Sequence, residues 1–251
     1  MNRADSEAPA ALRGRGPVRV AFFGGSFDPP HLGHLAVAGA ARAGLRLDKV
    51  LFATVGAQPL KPGGSTASFE DRVAMTRLAI AGEEGFEISL ADAPRLDGAP
   101  NYTLETLQGL RTELGADSKL FCLMGADSFF GLRNWHRAAE IPFAAPLVVA
   151  SRPGEPLDEL QAALPEGLAL ASARGSARSE AGVEIREFEI VNPAGDCAPF
   201  YVLPDLHVEI SASAIRKEMK LGERALESSS AGSKLLPHEV AKYIRAHGLY
   251  R

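Results

Sequence analysis

Two histidines three residues apart follow a glycine pair and a proline pair in the segment Gly24-Gly25-Ser26-Phe27-Asp28-Pro29-Pro30-His31-Leu32-Gly33-His34. Glycines at a strand end let a ligand approach backbone that any Cβ would obstruct. The prolines fix φ and stiffen the turn. On a helix, residues at i and i+3 share a face, so His31 and His34 can point at one ligand. The free N–H groups of a helix start add a preference for anions, by up to ~2 kcal/mol when partly buried. The combination suits a triphosphate. Taken singly, each part has a plainer reading: a Gly-Gly pair is usually a turn, and paired histidines are usually surface or structural residues. Their joint occurrence after a first strand favours the binding role. The segment carries neither the P-loop pattern nor the G-x-G-x-x-G of dinucleotide binders. It is not H-E-x-x-H either, and no third zinc ligand stands nearby, so no resident metal is expected.

The elements that must position this turn can be read on either side of it. Val18 to Phe23 is a short apolar run ending at the glycines and reads as a buried strand. Leu32 to Leu45 has helical spacing and abundant alanine. Lys49 to Val55 reads as a second strand, and a Pro/Gly/Ser loop then leads to a helix with Ser68 as N-cap and Asp71 three residues on. Further strands are expected at Phe86 to Leu90, Lys119 to Met124 and Pro146 to Ala150. A helix is expected over Tyr102 to Leu114, with Thr103 as its N-cap, and others at Ala212 to Leu221 and Pro237 to His247. Residues 154–205 are hard to read, although Val183 to Val191 has strand character. Alternating strands and helices imply right-handed βαβ units, hence a Rossmann-like, doubly wound α/β fold with a mainly parallel sheet and a C-terminal helical part. Ligands of such sheets sit at the carboxyl ends of the strands.

The bulk properties bound the rest. A chain of 251 residues suits one ordinary domain with a sizeable core. Its net charge of -4 provides no basic footprint for nucleic acid, so phosphate must be held by local geometry. The two cysteines, Cys122 in an apolar run and Cys197, argue against a disulfide framework and fit a reducing compartment. Residues 1–17 lack the apolar core of a secretory signal and read as a disordered tail, and no apolar stretch is long enough to span a bilayer. A cytoplasmic protein without membrane contact is expected.

The turn resembles the HxGH motif of the nucleotidyltransferase superfamily. A second element of that superfamily is matched by Ile210-Ser211-Ala212-Ser213-Ala214-Ile215-Arg216, in the same order and at a similar separation. More narrowly, the chain is similar to bacterial nicotinate-nucleotide adenylyltransferases. The likeness is carried by Gly24–Leu35, by Asn101-Tyr102-Thr103-Leu104-Glu105-Thr106-Leu107, by Met124–His136, by Ser151-Arg152-Pro153-Gly154, and by Leu236-Pro237 through Leu249-Tyr250. It implies a nucleotidyltransferase α/β domain over 18–221, with 154–205 an irregular insertion, and a helical segment over 222–251 packed on it.

The resemblance also implies a reaction: ATP and nicotinate mononucleotide give nicotinate adenine dinucleotide and pyrophosphate, in NAD biosynthesis. It places His31, His34 and Arg216 on the ATP phosphates as catalytic donors, with Gly24, Gly25, Ser26, Phe27, Ser211 and Ser213 around them. Gly125 and Asp127 would meet the adenosine. Lys61, Tyr102, Thr103, Trp135 and His136 would hold the mononucleotide, with Trp135 stacked on the pyridine ring. Mg²⁺ would arrive with ATP, which commonly leaves it ligated by water and substrate oxygens. A homo-oligomer is compatible with the sequence. Leu60 stands where the family usually has His before the lysine, and Ala212-Ser213 replaces the usual Ser-Thr, removing one hydroxyl donor. Rival readings are a nicotinamide-mononucleotide or phosphopantetheine adenylyltransferase, or a regulatory domain that binds ATP without turnover.

Overall fold

In the chain's computed structural model, residues 18–58, 60, 63–151, 157–171, 175–179, 182–204, 206, 211–222 and 235–251 are described. Strands β1 (Arg19–Gly25), β2 (Lys49–Thr54), β3 (Phe86–Ser89), β4 (Lys119–Gly125) and β5 (Leu147–Ala150) are mutually parallel. Helices α1 (Leu32–Leu45), α2 (Phe69–Ala79), α3 (Thr103–Leu114), α4 (Ala126–Phe130) and α5 (Ile141–Ala144) fall between them. The strand order is β3-β2-β1-β4-β5, continuing to later strands. From β1 the chain builds outward through β2 to β3, then returns to lay β4 on the other side of β1. That reversal opens a crevice beyond Gly25 and Gly125, where a doubly wound sheet binds its ligand.

The sheet is covered on both faces, and the strand sequences show it. Along β1, Val20 and Phe22 join one core cluster while Ala21 and Phe23 join the other. Leu120, Cys122 and Met124 of β4 alternate likewise with Phe121 and Leu123. Period-2 side chains that are apolar on both faces make continuous apolar runs. Ser68 caps α2, accepting from the Asp71 N–H at 3.0 Å and donating to the Asp71 carboxylate at 2.7 Å. For α3 the cap is Tyr102, not Thr103, and no side chain closes that helix start.

The stretch 154–205, expected to be irregular, holds regular structure among its described residues. Helix α6 (Leu157–Ala163) is followed by β6 (Ala169–Leu170), β7 (Gly175–Arg178), β8 (Glu184–Val191) and β9 (Cys197–Leu203). β9 pairs parallel to β5, and β8 returns antiparallel beside it with β6 and β7 on its outer side. The signal was weak because β7 is exposed throughout and β8 buries only Ile185, Phe188 and Ile190.

Two further helices, α7 (Ala212–Gly222) and α8 (His238–His247), pack near α2 in a third cluster around Met75, Ile215, Val240 and Ile244. The Tyr243 hydroxyl donates to Asp71 at 2.9 Å, tying α8 to the capped start of α2. Among the described residues no helix is long and apolar enough to cross a membrane.

Candidate active site

The turn after β1 is built on aromatic rings. Phe27 sits at φ 46°, a left-handed backbone unusual for a bulky residue, and its ring is buried. The ring meets Phe23 edge-on at 5.7 Å and His34 at 5.0 Å. Such a conformation costs roughly 1–2 kcal/mol and persists only where packing holds it. The glycines have a second reason beyond ligand access. A Cβ on Gly25 would press on the Phe27 ring at 3.0 Å, and one on Gly24 would press on Phe22 at 2.7 Å.

His31 is the N-cap of α1 and His34 its third residue; their rings stack with centroids 3.7 Å apart. The His31 N–H donates to His34 Nδ1 at 3.1 Å. With Nδ1 accepting, a neutral His34 ring carries its proton on Nε2 and is fixed as a donor there. His31 Nδ1 is buried without a partner among the described residues, an unmet polar group of the kind found at functional sites. Burial lowers the His31 pKa from 6.5 to about 4, and burial together with the neighbouring His31 lowers that of His34. Both rings are therefore neutral near pH 7.

A stability prediction follows from the sign of those shifts. Below about pH 6.5 the unfolded chain protonates both rings before the folded chain does, so folding stability falls as pH drops from 6.5 towards 4. For His31 the loss is on the order of 3 kcal/mol. A His31→Gln variant should show a flatter melting temperature between pH 6.5 and 4 than the native chain; parallel profiles would contradict the assignment.

Beneath the turn, the buried Asp28 carboxylate accepts from the Thr66 N–H at 2.7 Å, the Ala67 N–H at 3.1 Å and the Tyr250 hydroxyl at 2.7 Å. Arg72 donates to the Ser26 and Val55 carbonyls at 2.8 and 2.9 Å. Arg216, from the first turns of α7, donates to the Asp28 carbonyl and stands 3.8 Å from its carboxylate. At the start of α7 the Ser211 and Ser213 hydroxyls are 3.0 Å apart.

At the other end of the crevice, Gly125 closes β4 and caps α4, with Asp127 in the first turn of that short helix. The Tyr102 and His136 rings lie 4.3 Å apart at a tilt of 32°, and the half-buried Trp135 packs beside the core. Asn101 ties the loops after β2 and β3 together: its side chain accepts from the Ala57 N–H at 3.3 Å and donates to the Ala93 carbonyl at 2.9 Å. The buried Asp92 carboxylate takes the Thr106 hydroxyl, and burial raises its pKa against the effect of that bond. Cys122 also faces this space, but burial and the adjacent Asp92 push its thiol up to about 12, so it is no nucleophile at neutral pH.

One cavity of about 890 Å³ joins these groups, at the upper end of small-molecule sites. It is lined by Gly24, Gly25, Ser26, Phe27, His31, His34, Tyr102, Thr103, Gly125, Asp127, Trp135, His136, Ser211, Ser213 and Arg216. Every residue expected at the site is thus brought to it except Lys61, which lies outside the described residues. Sequence reasoning missed Asp28, Gln58, Asp92 and Asn101, all in the lining. Gln58 accepts from the Ser26 hydroxyl at 3.1 Å. Asp28 lay inside the quoted turn, so its place in the motif was the available signal. Among the described residues no three His, Cys, Asp or Glu side chains gather to hold a metal ion.

Comparison with known proteins gives a consistent outcome. Residues 22–218 match the sequence model of the cytidylyltransferase-like family. The chain is 35% identical over 232 residues to a probable nicotinate-nucleotide adenylyltransferase of Gloeobacter violaceus, covering 92% of this chain and 96% of the relative. It is 38% identical over 233 residues to the probable nicotinate-nucleotide adenylyltransferase of Stenotrophomonas maltophilia, with the same coverage. In fold it resembles the Plasmodium falciparum nicotinic acid mononucleotide adenylyltransferase complexed with NaAD. The TM-score there is 0.64 at 15% identity, over 93% of this chain and 97% of that one.

Proposed function

The chain belongs to the cytidylyltransferase-like family, among the nicotinate-nucleotide adenylyltransferases, and from that premise we propose how its cavity works. The protein transfers the adenylyl group of ATP to nicotinate mononucleotide, forming nicotinate adenine dinucleotide and pyrophosphate in NAD biosynthesis. The observation that carries this reading is the shared cavity: two stacked imidazoles and Arg216 line it together with Trp135 and the uncapped start of α3.

The chemistry asks little beyond positioning. The mononucleotide phosphate is already ionised near neutrality (second pKa ~6) and needs no strong base. Its oxygen attacks the α-phosphorus of ATP, the bond to the β-phosphate oxygen breaks, and the electron pair leaves with pyrophosphate. Charge growing on the leaving group is met by the His34 Nε2–H, by His31 and by Arg216, with Ser211 and Ser213 as hydroxyl donors. Backbone at Gly24, Gly25, Ser26 and Phe27 lets the phosphates lie close. Gly125 and Asp127 hold the adenosine, with Asp127 accepting from the ribose. The resemblance assigns the mononucleotide phosphate to Lys61.

At the acceptor end Trp135 stacks on the pyridine ring beside His136. The first N–H groups of α3, left without a side-chain cap by Tyr102, suit a carboxylate better than an amide. That favours nicotinate over nicotinamide mononucleotide. Family members generally use a divalent metal with ATP. Mg²⁺ fits as a passenger on the triphosphate, because the donors around the histidines are imidazole, hydroxyl and guanidinium rather than a carboxylate cage. Bound there, it would neutralise phosphate charge. The net charge of -4 supports small nucleotides rather than nucleic acid as partners, and NAD biosynthesis fits a cytoplasmic location.

The test is pyrophosphate release from ATP and Mg²⁺ with nicotinate mononucleotide, nicotinamide mononucleotide or phosphopantetheine as acceptor. The acid mononucleotide should lead in kcat/KM by about tenfold or more. Equal or better turnover of either rival would overturn the assignment, and no release with any acceptor would favour the regulatory reading. In the same assay Trp135→Ala should raise the mononucleotide KM by roughly tenfold, the worth of one aromatic stacking contact, with kcat little changed. An unchanged KM would return this tryptophan to the core.

A further inference from the structure

We propose that Tyr250 is a positioning residue for the phosphate end of the cavity, acting through Asp28 on Arg216; the inference rests on that end taking the triphosphate. Tyr250 and Asp28 are 222 residues apart in sequence and share a 2.7 Å hydrogen bond in the interior. Both are 5% exposed. Tyr250 also adopts a left-handed backbone, φ 64°, two residues after Gly248 ends α8 at φ 61°. A tyrosine holds that conformation only where surrounding packing outweighs its cost.

The geometry links this contact to the phosphate turn and to Arg216. Asp28 immediately precedes Pro29 and Pro30, and His31 follows them. Its carboxylate has three donors, of which the Thr66 and Ala67 N–H groups lie on one loop and the phenol comes from the opposite end of the chain. A buried carboxylate orients towards its donors. The phenol and the Ala67 N–H hold Oδ1 while the Thr66 N–H holds Oδ2, so the phenol helps to set how Oδ2 faces Arg216, whose Nη1 stands 3.8 Å away. Burial, and then the neighbouring Asp28, raise the phenol pKa, so Tyr250 stays a neutral donor at working pH.

Helix α7 makes Arg216 sensitive to this arrangement. Ile215 is fully buried in the cluster that contains Tyr250 and Ile244, whereas Ser213, Ala214, Lys217, Glu218 and Lys220 are exposed. The helix is thus anchored through Ile215 and Met219, which leaves Arg216 to be placed by its hydrogen bond to the Asp28 carbonyl and its ion pair with the carboxylate. Without the phenol, Oδ1 is held by the Ala67 N–H alone, at 3.1 Å, so the carboxylate is less firmly kept from shifting Oδ2 onto Arg216 and drawing the guanidinium away from phosphate.

Tyr250→Phe keeps the ring and deletes one hydroxyl. It should lower kcat/KM for ATP about tenfold, as expected for a bond to a charged group. The mononucleotide KM should stay within about twofold. In an Arg216→Ala background the same substitution should have no further effect on ATP kinetics, which a merely structural role would not produce. Native kinetics in Tyr250→Phe, or an equal loss in both backgrounds, would overturn the proposal. If Tyr250→Phe fails to fold, 3-fluorotyrosine at position 250, which keeps the ring and hydroxyl but alters the strength of the bond to Asp28, supplies the comparison. An ATP defect independent of Arg216 there would again overturn it. The native chain, run alongside, tests the adenylyltransferase reading separately: its turnover stands or falls whatever Tyr250 does.

Discussion

His34→Ala should lower kcat by ~10²-fold or more while leaving the fold intact, the effect of losing a donor aimed at transition-state charge. The substitution removes a ring nitrogen whose donor role the backbone enforces, since the His31 N–H occupies Nδ1 and leaves the proton on Nε2. Helix α1 itself should survive. Its buried face is Gly33, Val37, Ala38, Ala41 and Leu45, and alanine is the better helix former at position 34. Losing the ring leaves Phe27 and His31 short of a neighbour, so some softening of the turn is expected. Circular dichroism and steady-state kinetics on the same preparation separate the two outcomes. Turnover near native would remove His34 from the mechanism.

Arg216→Ala should cost on the order of 10²–10³-fold in kcat/KM for ATP, the lower range for a guanidinium that stabilises phosphoryl transfer. Stability should change little, because Asp28 keeps the Thr66 and Ala67 N–H groups and the Tyr250 hydroxyl and is not left as an unpaired buried charge. Arg216→Lys should recover only part of the loss, since an ammonium cannot present the planar fork. Thermal melts with kinetics in both substrates check this. A large drop in melting temperature with ATP kinetics preserved would make Arg216 a structural partner of Asp28 and nothing more.

Much of this site could be read in the sequence because its pieces are local. The run Val18–Phe23, the glycines, the prolines and the i,i+3 histidines lie within one strand-turn-helix unit, and their periodicities show through. What was hidden depends on contacts between distant segments. The bond from Tyr250 to Asp28 has no local signature. Asp92 gave no sign of its role because only the fold brings it against Thr106 at the cavity wall. Hydroxyl preference alone points to Thr103 as the N-cap of α3, yet Tyr102 occupies the cap with its side chain turned to His136. In 154–205, β7 presents no buried face and β9 begins with the exposed Cys197 next to Asn192–Asp196 turn residues, so neither gave a clean alternation.

The central claim is that His31 and His34 together meet the triphosphate. Nitrogen-15 spectra of the histidine rings, recorded with and without an ATP analogue whose α and β phosphorus atoms are joined by methylene, test it most directly. Binding should shift the resonances of both rings and raise the pH at which His31 protonates above the value of about 4 that burial sets, because phosphate charge favours the imidazolium. Resonances and titration left unmoved for both rings at saturating analogue would contradict it.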